Sequence, residues 1–158
     1  MSGERTDRLG KLRELTHGLL EDPAEDAETA GMVETAFLMA AADGHFGNAE
    51  QDEFAEALQF LSSGKLTLEQ VDAVLDELID ALREDGWDKR IEAVTAKLAT
   101  PESRRNAYRL AAGISFVDGQ VQDEEAHLFG LLGESFGIPT DEASKLLVGV
   151  RDVLFPQT

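Results

Sequence analysis

An internal repeat constrains this chain more than any other feature of its sequence. The first copy runs from Ala42-Asp43-Gly44 to Phe54, and the second runs from Val117-Asp118-Gly119 to Phe129, 75 residues later. Both copies follow the pattern Asp-Gly-x-apolar-x-x-x-Glu-x-x-x-Phe, and each separates an apolar segment from an acidic one with helical spacing. A repeat at a fixed separation indicates a fold made of two related halves.

The spacing of the apolar residues predicts an all-α fold. These residues recur at intervals of three and four, and strand signals are nearly absent. Thr67 and Gln70 form a capping box, and Thr100-Pro101 places a cap before a proline at the first helical position. Gly137 fits a helix C-terminus. We therefore expect a single compact domain of seven or eight helices, built from two pseudo-symmetric halves.

The N-terminal region is predicted to form a helix and an acidic linker over residues 1–25, followed by the helical domain over residues 26–156. Five leucines place an apolar stripe on the first helix: Leu9, Leu12, Leu15, Leu19 and Leu20. The segment Glu21-Asp22-Pro23 should end this helix. A chain of 158 residues that is 42% apolar is long enough for one well-buried domain.

The charge of the chain restricts its partners. Thirty-two acidic residues against fourteen basic ones give a formal net charge of −18. Such a chain repels nucleic acid and anionic lipid, so we expect no nucleic-acid partner and no membrane insertion. Cations and a protein partner with a basic surface are favoured instead, and a homodimer is compatible with the sequence. The chain has no cysteine and shows no secretory signal, which indicates a cytoplasmic protein.

The aspartates of the repeat lie where an apolar helix is predicted to end. A carboxylate at a helix C-terminus faces the negative end of the helix dipole, which costs about 0.3 to 1 kcal/mol at an exposed site. Because Asp43 and Asp118 repeat this arrangement, a basic side chain or a bound cation should compensate for it. Phe46 and Val121 are expected to point inward and hold each corner against the core.

The glutamates of the repeat, Glu50 and Glu125, are predicted to lie in the first turn of the following helix. A glutamate there suits the helix dipole. With Gly47 or Gln122 near the cap, each carboxylate can also accept a hydrogen bond from the backbone. This interpretation requires no ligand, so each corner taken alone is compatible with a simple connection between two helices.

The two corners together predict a different role if they converge in space. Four carboxylates would then meet at one point: Asp43, Glu50, Asp118 and Glu125. Carboxylates that close repel one another, so a cation or a basic residue must lie between them. Oxygen ligands favour calcium or magnesium over zinc or manganese. His45 and His127 lie in or beside the corners and leave zinc or manganese open as alternatives.

The segments from Ala40-Ala41-Ala42-Asp43-Gly44 to Glu50 and from Phe116-Val117-Asp118-Gly119 to Glu125 resemble the tellurite-resistance TerB-like family. The resemblance covers roughly Ala30 to Leu154. It implies an all-helical architecture with duplicated Asp-Gly corners and no enzymatic activity. It also implies that the four acidic residues of the corners match positions proposed to hold a metal. This chain differs from the family pattern in having Gly47-Asn48 in place of a Ser or Thr cap, and Phe116-Val117 in place of two alanines.

Two functions from different classes follow. The first is a non-enzymatic domain that binds a divalent cation through its duplicated corners and acts in a stress-response or tellurite-resistance assembly. The second is a metal-free acidic module for protein-protein interaction, in which the repeat only serves folding. No nucleophile-base pair or phosphate-binding loop accompanies the carboxylates, and His17 is isolated in the sequence. We therefore expect no catalysis.

Overall fold

A computed structural model describes residues 2–16, 19–21, 23, 25–117 and 121–156 of the chain. These residues contain eight α-helices and no β-strand, which confirms the all-α prediction. The helices are α1 (Ser2–Leu15), α2 (Ala27–Ala40), α3 (Asn48–Leu61), α4 (Leu68–Asp85), α5 (Trp87–Lys97), α6 (Pro101–Phe116), α7 (Asp123–Phe136) and α8 (Thr140–Leu154).

The predicted capping residues begin and end several of these helices. At the start of α4, the Thr67 hydroxyl accepts a hydrogen bond from the Gln70 backbone at 3.1 Å, and the Gln70 side chain accepts one from the Thr67 backbone at 2.9 Å. Thr100 caps α6, whose first residue is Pro101. Gly137 follows α7 with a φ of 72°, a left-handed conformation that suits glycine.

Helix α1 ends earlier than the leucine stripe predicts. The helix stops at Leu15, so the prediction that it continues through Leu20 is wrong. Thr16 directs its hydroxyl to the carbonyl of Leu12, and the backbone N–H of Leu19 closes a turn on the carbonyl of Thr16. A threonine hydroxyl that donates to the carbonyl four residues earlier favours a bend or an end of the helix. Helix α1 nevertheless packs against α3 and α8.

Helices α2 and α6 form the centre of the domain. Every residue from 31 to 39 in α2 is buried, and α2 packs more extensively against α6 than against any other helix. These are the two helices that precede the two copies of the repeat. Ala40 at the end of α2 and Ile114 near the end of α6 line one cavity. The packing therefore brings the C-terminal ends of both helices together.

A buried ion cluster connects α2 to α5. The side chain of Glu34 is 1% exposed, and it accepts two hydrogen bonds from Arg90 at 2.8 and 2.9 Å and one from Lys97 at 3.0 Å. Arg90 also pairs with Asp85 at 3.0 Å. The hydrogen bond to Glu34 raises the pKa of Arg90 above its ordinary value. The buried carboxylate is therefore fully compensated, as a charge in a low-dielectric interior must be.

Candidate metal site at the two corners

The first corner is a tight turn that Asp43 stabilises. After the end of α2, the backbone N–H of Gly44 donates to the carbonyl of Ala41 at 2.9 Å, and Gly44 adopts a φ of 79°. One carboxylate oxygen of Asp43 accepts the backbone N–H of His45 at 2.9 Å. Aspartate commonly supports turns through a bond of this kind. The exposed Asp43 side chain thus has a structural role whether or not it also binds a ligand.

The apolar residue of each corner behaves differently in the two copies. The Phe46 ring contacts Phe37 and Phe54 edge-on, with centroid distances of 5.2 and 6.0 Å, and holds the first corner against the core. Val121 is 44% exposed, so the prediction that it points inward is wrong.

The core of the second half explains the exposure of Val121. Phe129, the counterpart of Phe54, already contacts two aromatic side chains of α6. Its ring lies 5.6 Å from Tyr108 and 6.1 Å from Phe116, measured between centroids. The α6 helix therefore supplies the aromatic contact that the loop residue supplies in the first half, and the smaller valine is left at the surface.

Both glutamates of the repeat accept backbone hydrogen bonds at the start of their helices, which confirms the capping prediction. Glu50 accepts the backbone N–H of Gly47 at 2.8 Å. Glu125 accepts the backbone N–H of Gln122 at 2.9 Å. The second carboxylate oxygen of Glu125 accepts the hydroxyl of Ser115 at 2.7 Å, a contact that ties the end of α6 to the start of α7.

One cavity of about 250 Å³ lies between the two corners, under helix α1. Its polar lining consists of Arg5, Glu50, Glu53, Ser115, Gln122 and Glu125. We call it the corner cavity. Glu50 and Glu125 come from the two copies of the repeat, so the packing of the two halves places both glutamates at the same cavity. The cavity lies beside the C-terminal ends of α2 and α6 and the N-terminal turns of α3 and α7, so the helix dipoles there oppose one another.

Of the two aspartates predicted as ligands, the structure describes Asp43 but not Asp118. Among the described residues, Asp43 is not part of the lining of the corner cavity. Asp118 lies outside the described residues, but it follows Val117, which lines the cavity. No group of three or more His, Cys, Asp or Glu side chains in the described part of the chain is arranged to hold a metal ion. The described carboxylates alone therefore do not form a complete metal site.

The two histidines near the corners lie away from the shared cavity. His45 is exposed in the first corner, where its backbone N–H is bonded to Asp43. His127 lines a second cavity with Trp87, on a different side of α7. Neither side chain is part of the lining that holds Glu50 and Glu125. His17 lies outside the described residues.

Sequence reasoning missed three polar residues of the corner cavity: Arg5, Glu53 and Ser115. Arg5, on α1, brings a guanidinium into the same cavity as three glutamates. The general requirement for a positive charge near the carboxylates was predictable, but the choice of Arg5 depends on how α1 packs. Ser115 lies at the position that Ala40 occupies in the first copy. The contact between Ser115 and Glu125 left only one signal in the sequence, which is a hydroxyl among the small and apolar residues at the end of α6.

Within the described residues, no helix combines the length and the apolar character needed to cross a membrane. Comparison with curated proteins gave no significant match. Comparison with solved structures also gave no significant match. A family model described as "Tellurite resistance protein TerB" matches residues 29–147, which is well over half of the chain and includes both corners. The chain therefore belongs to the tellurite resistance protein TerB family.

Proposed function

We propose that this chain is a non-enzymatic TerB domain that binds one divalent cation at the corner cavity and acts in a tellurite-resistance or stress-response assembly. The proposed ligands are the four acidic residues of the repeat: Asp43, Glu50, Asp118 and Glu125. The observation that supports this proposal most directly is that Glu50 and Glu125, from separate halves of the repeat, line the same cavity.

The chemistry of the cavity favours a hard cation. Its acidic lining offers carboxylate oxygens and no sulfur, and such oxygens are the ligands that calcium and magnesium prefer over softer donors. The proposal adds Asp118, which follows the lining residue Val117 in the sequence, as a ligand from the second copy of the repeat. Asp43 holds one carboxylate oxygen on the backbone of His45 and does not line the corner cavity, so its proposed role as a ligand requires its side chain to move when the cation binds. Zinc and manganese are the less favoured alternatives.

A metal-free interaction module is the second candidate, and specific contacts favour it. Glu50 and Glu125 already accept hydrogen bonds from their own helix N-termini. Arg5 lies in the cavity and provides a positive charge without any ion. In this alternative, the acidic surface binds a protein partner with a basic surface, and the repeat serves only to build the two corners.

Thermal denaturation with and without divalent ions distinguishes the two candidates. A cation that binds only the folded chain stabilises it by about 2.7 kcal/mol at a hundredfold excess over Kd. For a domain of this size this corresponds to an increase in Tm of roughly 5 to 11 °C. Calcium and magnesium are compared with sodium chloride at matched ionic strength, because salt screens the net charge of −18 without requiring a site.

The decisive variant replaces both glutamates, Glu50→Gln with Glu125→Gln. Glutamine also serves at this position of a capping box, so the backbone hydrogen bonds are retained while two ligand charges are lost. The matched control is Glu69→Gln with Glu102→Gln, two first-turn glutamates on α4 and α6 away from the corner cavity. We expect the corner variant to lose the divalent-specific increase in Tm and the control to keep it.

Two further variants test the aspartates separately, Asp43→Asn and Asp118→Asn. Each is expected to reduce the response to the divalent ion and to leave the response to sodium chloride unchanged. If the corner variant and both aspartate variants retain the full divalent response, the carboxylates are only helix-corner residues. The metal-free interaction module is then the better description.

A further inference from the structure

A second cavity of about 520 Å³ lies beside the start of α7, away from the corner cavity. Its floor is apolar and is formed by Ala42, Trp87, Leu128 and Leu131. Asp123, Glu124 and His127 supply the rest of its lining. We call it the Trp87 cavity. Its volume falls within the range of about 300 to 1,000 Å³ that is common for ligand-binding pockets.

The lining of the Trp87 cavity combines an indole with two carboxylates. Trp87 is half-buried at the first position of α5, while Asp123 and Glu124 are exposed in the first turn of α7. Among the described residues, no Lys or Arg lines this cavity. Tryptophan is the best aromatic partner for a cation, and nearby carboxylates strengthen the attraction for a Lys or Arg side chain.

We propose that the Trp87 cavity is the docking site for a basic, amphipathic segment of a partner protein. An apolar side chain of that segment packs on Leu128 and Leu131, and a Lys or Arg side chain lies against Trp87 and the two carboxylates. This inference rests on the assembly role proposed above, and it names the surface through which a basic partner is recognised. It does not require a cation in the corner cavity.

Charge complementarity selects this occupant over the alternatives. A second copy of the chain also carries a net charge of −18, so its approach to an acidic cavity is opposed by electrostatic repulsion. A purely apolar ligand would use only the apolar floor and would gain nothing from the exposed carboxylates of Asp123 and Glu124. A basic amphipathic segment satisfies both the apolar floor and the acidic residues at one site.

The fluorescence of Trp87 provides a direct assay, because this is the only tryptophan in the chain. The probe is a short synthetic peptide of Lys and Leu, with leucines at helical spacing, added to the full chain in EDTA. A peptide of the same length with Glu in place of Lys is the control for charge. We expect the basic peptide to shift the Trp87 emission in a saturable manner and the acidic peptide to have no effect.

A charge-neutral variant tests whether binding is specific to this cavity. The double variant Asp123→Asn with Glu124→Gln should weaken binding of the basic peptide about tenfold, because two favourable charge contacts are removed. The matched control is Glu69→Gln with Asp72→Asn, an equal change of charge on the exposed surface of α4, and it should bind as the wild type does. With a fluorescently labelled peptide, Trp87→Ala should weaken binding at least as much.

The outcomes separate this inference from the proposed function. Equal weakening by the cavity variant and the α4 control would show binding to the acidic surface as a whole, which overturns the docking site and leaves the assembly role standing. No binding of the basic peptide at all would overturn both the docking site and the basic partner. The divalent response of the corner cavity is measured separately and is unaffected by either result.

Discussion

Removing Arg90 should leave the buried carboxylate of Glu34 without its main positively charged partner. In Arg90→Ala, Glu34 loses the hydrogen bonds at 2.8 and 2.9 Å and keeps only the bond from Lys97 at 3.0 Å. Breaking a buried ion pair by removing one partner costs about 3 to 5 kcal/mol. At roughly 2 to 4 °C per kcal/mol, Tm should fall by about 6 to 20 °C.

Two companion variants test whether the loss of stability comes from a buried charge that lacks its partner. Lys97→Ala removes one bond from a side chain that is 36% exposed, so it should cost only about 1 kcal/mol. Combining Glu34→Gln with Arg90→Ala replaces the carboxylate that Arg90→Ala leaves without its main partner by a neutral amide. The double variant should therefore be more stable than Arg90→Ala alone.

Urea denaturation followed by circular dichroism gives the free energy of unfolding of each variant. The reasoning is refuted if Arg90→Ala costs no more than Lys97→Ala, or if the double variant is less stable than Arg90→Ala. The first result would mean that Glu34 does not depend on the bidentate contact. The second would mean that Lys97 compensates the Glu34 carboxylate without Arg90, so that the charge is not left unpaired.

Three further variants probe packing and surface charge. Gly130→Ala in α7 should raise the free energy of unfolding, measured by urea denaturation, by about 0.5 to 1 kcal/mol, because a Cβ at this position has open space. Gly113→Ala should lower the free energy of unfolding, because its Cβ would collide with the side chain of buried Leu12. A hydrogen bond from Arg105 lowers the pKa of Glu142 below its ordinary value of 4.5. The contact therefore stabilises the fold above pH 4.5, and this stabilisation is lost as the pH falls through the folded-state pKa of Glu142. Arg105→Gln should thus lower Tm at neutral pH, with a difference from wild type that disappears in acid.

Local signals in the sequence were sufficient for most of the helical architecture. Capping residues act on the backbone within a few positions, so Thr67, Thr100 and Gly137 correctly placed the limits of three helices. The first-turn position of Glu50 and Glu125 likewise predicted their backbone hydrogen bonds. Such interactions depend on residues close in sequence and leave a local pattern.

Contacts between distant segments could not be predicted in this way. Glu34 is compensated by residues 56 and 63 positions away, and the sequence shows only a charged residue among apolar neighbours. The presence of Arg5 in the corner cavity depends on where α1 packs. The exposure of Val121 depends on Phe116 and Tyr108, which already cover Phe129 from α6.

The central claim is that both corners bind the same cation, and nuclear magnetic resonance with manganese tests it most directly. Manganese replaces magnesium at oxygen sites and broadens the signals of nearby amides. We predict that substoichiometric manganese broadens the backbone amides of Gly47 to Glu50 and of Gln122 to Glu125 together, and that excess magnesium restores them. Broadening at one corner only, or equal broadening along the acidic surface of α4, would contradict a shared site.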